Sequence, residues 1–553
     1  MQTPTGRPNI LWISLEDTSP RFGCYGDSLA RTPHIDRLAA EGTRYSNAFA
    51  VAGVCSPSRS AVITGMYPTS IGTHHMRTEH TNPHTPELPT PYLAVPPPHV
   101  KAFTEYLRAE GYFCTNNWKT DYQFASPLTA WDEDGVDAHW RRRGDPEQPF
   151  FAVFNHMLTH ESGMWGDLVR KWVDPASAAE PRPLETDPGK VKVPPYLPDT
   201  PKSREALARY YDLIAEADDY VGRLLRQLEE DGLADNTIVF LWSDHGEGLP
   251  RAKRWPYDAG IRVPLIVRWP GRLEPGTVND RLVSLIDLGP TALSLAGAPV
   301  PRHLAGKPFL GSDERTRDYV YATRDRYDEA YDKVRAVRDK RFKYIRNDYP
   351  NQPYLQWIPF SHQHQMFREL WRLELAGELK DEQRLLLRRT RPAEELYDCD
   401  HDPYETRNLA ADPAYLETLE RLRGELDAWC RHYDVWGDVP EDQMVARMWP
   451  GGVQPQAAAP IFVPINGALP GVEPSARGEY EEPTAIMLHT ATQGASIAYT
   501  TEEGEIPRWQ LYTGPILLSG GRVSIRAKAV RIGYKDSEEA SAAYTVKIGA
   551  AEA

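Results

Sequence analysis

Four short stretches of the chain are apolar at nearly every position rather than at alternate ones: residues 9–15, 150–155, 237–242 and 262–269. A strand with water on one face alternates, so unbroken runs of this length predict strands covered on both faces, as in a parallel or mixed sheet. Between them apolar positions recur at three-to-four spacing. Thr32, Pro33 and His34 open one helix, IDRLAAEG, and SREALARYYDLIAEADDYVGRLLRQLEEDG predicts a long helix that stops at Gly232. This alternation predicts an α/β core. In such cores ligands gather beyond the carboxyl ends of the strands, so the residues that follow each strand matter most.

Two proline-rich stretches, residues 78–100 and 175–201, are too long for ordinary connections and are expected to be surface loops framing a pocket. After Gly311 the texture changes to charged and aromatic segments (DYVYATRDRY, VRAVRDKRFKYIRN), followed by helices predicted over 365–389 and 414–432. A smaller α+β subdomain is expected there. Beyond the linker-like GGVQPQAAAP come TAIMLHT, SIAYTT, PILLSG, VSIRAKAV and SAAYTVKI, short runs bounded by Gly, Pro and charged turns, which predict a small β-sandwich. The expected division is residues 1–310, 311–450 and 451–553.

Composition narrows the function classes. A chain of 553 residues, 41% hydrophobic and 25% charged, has the profile of a soluble globular protein. With 63 basic against 78 acidic residues the formal charge is −15, so a nucleic-acid or anionic-membrane partner would need a strong local basic patch, and none is visible. Five scattered cysteines argue against a disulfide framework and against a CxxC metal site. The opening MQTPTGRPNILWISLED lacks the pattern of a secretory leader. The expectation is a cytoplasmic enzyme, or a periplasmic one if the natural chain carries a leader.

Glu16 and Asp17 follow the first apolar run, and Asp244, His245 and Gly246 follow the third. Acidic clusters at equivalent strand ends converge on one locus, and like charges held together call for a cation, so a divalent metal is predicted. Read singly, each cluster equally describes a helix cap or a solvated turn. The segment Gly53 to Gly65, GVCSPSRSAVITG, adds a second kind of chemistry. Pro57 suits a first helical turn, which places Cys55 at a helix N-terminus where backbone N–H groups favour an anion, and Arg59 one turn on adds a planar cation.

CSPSR followed by xxxxTG resembles the signature of the type I sulfatases of the alkaline-phosphatase-like superfamily. The resemblance extends from RPNILWISLED and TPHIDRLAAEGTRYSNAFA through GYFCTNNWKTD and SDHGEGLPRAKRWPYDAGIRVPLIVRWPG to ELYDCDHDPYETRNLA, roughly residues 7 to 435. It implies an alkaline-phosphatase-like mixed sheet flanked by helices, with a smaller α+β C-terminal subdomain and an appended β-sandwich. It also implies that Cys55 is converted by a maturation enzyme to Cα-formylglycine, whose hydrated aldehyde is the nucleophile. Glu16, Asp17, Asp244, His245 and the modified Cys55 would hold one divalent ion, calcium by family expectation, with manganese or magnesium as alternatives. Arg59 would orient the nucleophile, Lys119 and Lys253 would grip sulfate oxygens, and His160 would contact substrate and protonate the leaving oxygen.

Two positions depart from the family pattern. Glu16 stands where an Asp is usual, and the usual K-x-H is Lys119-Thr120-Asp121. Asp121, His74 and His75 are the candidates for the missing histidine's role. Arg324 and Arg326 are candidates for a second anionic group on the substrate, or else part of a solvated charge run. The C-terminal unit is similar to the β-sandwich appended to some chitobiases; a packing or dimerisation role is preferred for it over glycan binding, with Trp509 and Tyr512 as exposed-loop aromatics in either. The function expected is hydrolysis of sulfate monoesters of small molecules or saccharides, arylsulfatase-like. A phosphonate monoester or phosphodiester hydrolase, a sulfamidase, and a non-catalytic glycan-binding protein are the alternatives, and a homo-oligomer is left open.

Overall fold

The computed structural model describes residues 7–165 and 183–547. The first half of the chain builds one mixed sheet of eight strands: β1 (Asn9–Leu15), β2 (Thr43–Phe49), β3 (Phe113–Asn117), β4 (Glu133–Asp134), β5 (Phe150–His156), β6 (Thr237–Ser243), β7 (Arg262–Arg268) and β8 (Thr277–Ser284), in the order β4-β3-β5-β1-β6-β7-β2-β8. The strands β3, β5, β1 and β6 run parallel; β7 is antiparallel to both β6 and β2.

The unbroken apolar runs are explained by two buried layers. Ile10 and Trp12 of β1 enter one layer with Phe151, Val153, Phe240 and Trp242, while Leu11, Ile13 and Leu15 enter the opposite layer with Ala152, Phe154, Val239 and Leu241. Each such side chain contributes about 1.5–3 kcal/mol on burial. The second layer is closed by the 30-residue helix α1 (Pro201–Glu230), through Leu207, Tyr210, Ile214, Val221 and Leu225. Its start is set by Thr200, whose hydroxyl accepts from the Ser203 N–H at 3.2 Å, and by Pro201 in the first turn. The strands β2 and β8 escaped the pattern because half of each is polar, toward the sheet's edge.

A second, antiparallel sheet has the order β12-β11-β10-β9, from β9 (Val320–Arg324), β10 (Val334–Arg338), β11 (Phe342–Asn347) and β12 (Glu394–Asp398). Helix α2 (Leu416–Tyr433) packs on it through Leu419, Leu422, Leu426 and Trp429. The helix expected over 365–389 ends early, at Ala376, because Gly377 adopts φ 72 and its N–H returns to the carbonyls of Leu373 and Glu374. Arg324 and Arg326 are not a solvated charge run. Both are buried, Arg324 Nε at 2.9 Å from Asp332 and over the Trp255 ring, Arg326 Nε at 2.6 Å from Glu441.

The C-terminal region is a β-sandwich. Strands β13 (Ile461–Ile465), β15 (Thr484–His489) and β18 (Ile516–Leu518) form one sheet. The other consists of β14 (Arg477–Tyr480), β20 (Ala540–Val546), β19 (Gly521–Val530), β16 (Ser496–Thr500) and β17 (Gln510–Leu511). Phe462, Ile486, Leu518, Ile525 and Tyr544 fill its core. It docks on the region of the eight-stranded sheet through Lys101 Nζ, which donates to the Gly494 carbonyl and Ser496 Oγ at 2.7 Å each, and through Arg108, which donates to the Trp509 carbonyl at 2.8 Å. Gly494 and Gly533 are needed there, since a Cβ would meet the carbonyls of Pro98 and Ala94 at 2.1 and 2.2 Å. Trp509 and Tyr512 are half-buried rather than exposed. Arg526 and Lys528 flank the Trp509 ring, and the Tyr512 hydroxyl accepts from the Leu488 N–H at 3.1 Å, so both serve the packing.

No helix among the described residues is long and apolar enough to cross a membrane. Part of the 175–201 stretch lies outside the described residues. The other proline-rich stretch, 78–100, does wall an open groove together with the second subdomain.

Candidate active site

Register sets the site. Leu15 of β1 pairs with Ser243 of β6 on one side and with His156 of β5 on the other. Glu16 and Asp17 therefore emerge beside Asp244 and His245, with Asn155 and His160 flanking them and Lys119 and Asp121 one strand further, after β3. These are the carboxyl ends of four adjacent parallel strands. Cys55 is the first residue of helix α3 (Cys55–Thr64), which delivers it over the same edge.

The side chains interlock. Cys55 Sγ lies 3.4 Å from His245 Nε2 and 3.8 Å from Glu16 Oε2. Arg59 donates from Nε to Asp244 at 3.1 Å, from Nη1 to Asn155 at 2.9 Å, and from Nη2 to Glu16. Lys119 Nζ is 2.6 Å from Glu16 Oε2. Lys253 Nζ donates to both Asp17 oxygens, at 3.0 and 2.8 Å, and to His160 Nε2 at 3.1 Å. His160 Nδ1 is 2.8 Å from Ser162 Oγ. Asp17 also accepts from the Glu161 N–H at 2.6 Å. Next to it a Cβ on Gly248 would approach Asp17 Oδ2 to 2.9 Å, so the DHGEG turn needs its second glycine.

Burial is complete at the centre: Glu16, Asp17, Cys55, Asp244 and His245 are 0% exposed. Burial pushes the Glu16 pKa up, against the pull of Arg59. Burial acts the same way on Asp17, yet Lys253, His160 and His245 hold it well below the usual carboxylate range. Burial would lower His245, but Asp244 and Asp17 raise it well above an ordinary imidazole. Burial and Lys253 depress His160 to about 3, so it is neutral at pH 7.

The residues fit a divalent cation. Three carboxylates converge with an imidazole whose Nδ1 lies 3.0 Å from the Gly246 carbonyl, which leaves Nε2 directed at Asp17 Oδ1, 3.1 Å away. Ligand atoms of Glu16, Asp17, Cys55 and His160 lie within 4.8 Å of one another, as do those of Cys55, Asp244 and His245. A donor set made mostly of carboxylate oxygens suits a hard cation.

With this geometry in place, the comparisons with known proteins are direct. Residues 8–298 match the Sulfatase family model. The chain belongs to the sulfatase family. Residues 246–359 of this sulfatase match the model of the N-sulphoglucosamine sulphohydrolase C-terminal region, and residues 475–542 match the chitobiase/beta-hexosaminidase C-terminal domain. An ulvan-active sulfatase of Formosa agariphila is 41% identical, over 96% of this chain and 90% of its own length. The human N-sulphoglucosamine sulphohydrolase is 27% identical, over 80% and 94%. The solved structure of a 2-O GAG sulfatase shares the fold with a TM-score of 0.56 at 21% identity, covering 78% of this chain and 93% of that one. This chain is accordingly a sulfuric ester hydrolase, with an alkaline-phosphatase-like sheet.

Of the residues singled out in the sequence, Glu16, Asp17, Cys55, Arg59, Lys119, His160, Lys253, Asp244 and His245 lie together. Asp121 joins them: it accepts a short hydrogen bond from Ser56 Oγ and lies 3.5 Å from Arg77 Nη1 and 3.7 Å from Lys119 Nζ. Despite burial, Arg77 and Lys119 hold it well below the ordinary carboxylate range. His74 and His75 do not join them. Their rings lie 4.1 Å apart at a tilt of 45°, His74 facing Asp325 and Arg335 and His75 Nδ1 accepting from the Arg326 N–H at 3.3 Å, so both belong to the packing against the second subdomain.

Sequence reasoning missed Asn155, Glu161, Arg77, Arg254 and Asp328. Asn155 ends an apolar run, and the strand-end rule applied there would have found it. Glu161 binds Arg254 at 2.7 Å and Lys253 at 3.2 Å. Asp17, Arg77, Asp121, Arg254 and Asp328 have φ between 45 and 77, a left-handed conformation rare for residues with side chains. Each costs of order 1–3 kcal/mol, and no sequence pattern announced them.

Proposed function

We propose that the chain hydrolyses sulfate esters of saccharides with a nucleophile derived from Cys55. The observation that carries this reading is the convergence of Cys55, four ligand side chains and three cations on the ends of β3, β5, β1 and β6. Cys55 converted to formylglycine by a maturation enzyme would supply the nucleophilic hydroxyl. A divalent ion held by Glu16, Asp17, Asp244 and His245 would supply the charge that acidifies it; calcium is the ion proposed, with manganese or magnesium as alternatives.

The remaining chemistry belongs to the protein's own groups. Arg59, fixed by Asn155, Glu16 and Asp244, holds the position 55 side chain against the ligand set. Lys119, paired with Glu16, and Lys253, paired with Asp17, neutralise the charge that grows on the sulfate oxygens. The Lys253 ammonium donates to His160 Nε2 while Nδ1 meets Ser162, so this pair holds the proton that the leaving sugar oxygen takes. Asp121, beside Ser56 and Lys119, occupies the place of the missing histidine and takes up the proton released when sulfate leaves. The saccharide substrate is supported by the names of the relatives, an ulvan-active sulfatase and an N-sulphoglucosamine sulphohydrolase.

The test compares kcat/KM for 4-nitrophenyl sulfate, a 4-nitrophenyl phosphonate monoester and ulvan oligosaccharides, with the mass of the peptide carrying residue 55 measured on the same sample. Preference for the phosphonate in matured enzyme would overturn the sulfate assignment.

A further inference from the structure

An open groove of about 700 Å³ lies outside the nucleophile, between residues 77–88 and residues 328–360. It meets the catalytic centre at three points. Arg77 on its wall reaches Asp121 at 3.5 Å, Asp328 lies 3.7 Å from Arg254 Nε, and the Phe360 ring is 6.1 Å from that of His160. The groove therefore adjoins the catalytic centre, and a molecule whose ester oxygen sits at the nucleophile has it alongside.

Besides the Arg77 guanidinium, the groove presents two kinds of surface. One is aromatic: Phe360, and His84 backed by the half-exposed Trp357 at 6.3 Å. The other is a pair of carboxylates. Glu329 uses Oε1 to accept from Asn82 Nδ2 at 2.7 Å, while Glu329 Oε2 and Asp328 Oδ2 are buried atoms with no hydrogen-bond partner among the described residues. A buried acceptor left without a donor is costly, so a ligand that brings two hydroxyl donors is favoured. Aromatic rings beside such acceptors suit the C–H face of a pyranose, whereas a second anion on that side would be repelled by both carboxylates.

We propose that this groove seats the sugar ring bearing the ester, with Asp328 and Glu329 accepting from free ring hydroxyls, and that it rejects rings sulfated at those positions. The proposal rests on the saccharide sulfatase reading above. Both groups can be neutralised without loss of shape. Asp328 has φ 51, which Asn adopts readily, and Glu329→Gln keeps an oxygen for Asn82.

The experiment measures kcat/KM of the full, matured chain on 4-nitrophenyl sulfate, on ulvan oligosaccharides and on chemically over-sulfated forms of the same oligosaccharides. In Asp328→Asn and Glu329→Gln the ratio of oligosaccharide to aryl ester kcat/KM falls at least about tenfold, and the preference for ordinary over over-sulfated oligosaccharides narrows. A ratio within about twofold of wild type in both variants would overturn the proposal. So would a wild type that hydrolyses the aryl ester and releases sulfate from no saccharide. A matured wild type that hydrolyses neither ester overturns the underlying functional reading instead.

Discussion

Among the described residues two buried ionic clusters contain both carboxylates and a thiol, and only one of them is built for chemistry. The first joins Glu16, Asp17, Asp244 and Cys55 to Arg59, Lys119 and Lys253. The second joins Asp258, Glu405 and Cys399 to Arg338 and Lys343, where the catalytic sheet meets the second sheet. Both place two or more carboxylates and a thiol within 4.8 Å. In the second cluster two carboxylates face two cations, with Lys343 Nζ at 2.6 Å from Asp258 and 2.7 Å from Glu405, and Arg338 at 3.1 Å from Asp258. Burial and Asp258 push the Cys399 thiol well up, so it stays protonated. The first cluster adds an imidazole directed at its centre and a groove alongside. Buried charge by itself does not mark an active site; donor type and access do.

The contrast can be broken most sharply at position 55. Cys55→Ala is expected to lower turnover of 4-nitrophenyl sulfate by about 10³-fold or more while the melting temperature stays near wild type; Cys399→Ala should leave activity of the folded protein intact. Retained activity in a clean Cys55→Ala preparation would mean that the first cluster is not the catalytic one. Asp121→Asn should cost about 10²-fold in kcat with little change in KM, since the amide keeps the shape and loses the proton acceptor.

In the second cluster the effect appears in stability. Lys343→Met takes from Glu405 its paired cation, while Asp258 keeps Arg338, and should cost about 3–5 kcal/mol in urea unfolding. Divalent ions should separate the two clusters next. Calcium at about 100 times its Kd is expected to stabilise the fold by about 2.7 kcal/mol, an effect that Asp17→Asn removes and Lys343→Met does not. The smallest effect concerns a third pair. Against burial, His75 and then Arg326 lower the Glu441 carboxyl to about 2 from an ordinary value of 4.5. Its folded pKa is depressed, so this stability is present above pH 4.5 and is lost as pH falls toward 2. Glu441→Gln should flatten the acid limb of the stability profile in that window.

Much of this was legible in the chain itself. Unbroken apolar runs announced strands covered on both faces, and acids placed directly after two of them announced the convergence. The CSPSR segment placed Cys55 at a helix start, and short turn-bounded runs announced the sandwich. Those signals are local, because each depends on periodicity or on a residue's position relative to a strand end. What the tertiary structure alone decided is which charged residues face which. Arg324 and Arg326 read as a solvated run and are buried. His74 and His75 read as neighbours of the nucleophile and pack the other way. Asp328 and Glu329 had no signal, yet they line the groove, because pairing across hundreds of residues is set by sheet register and subdomain docking rather than by spacing along the chain.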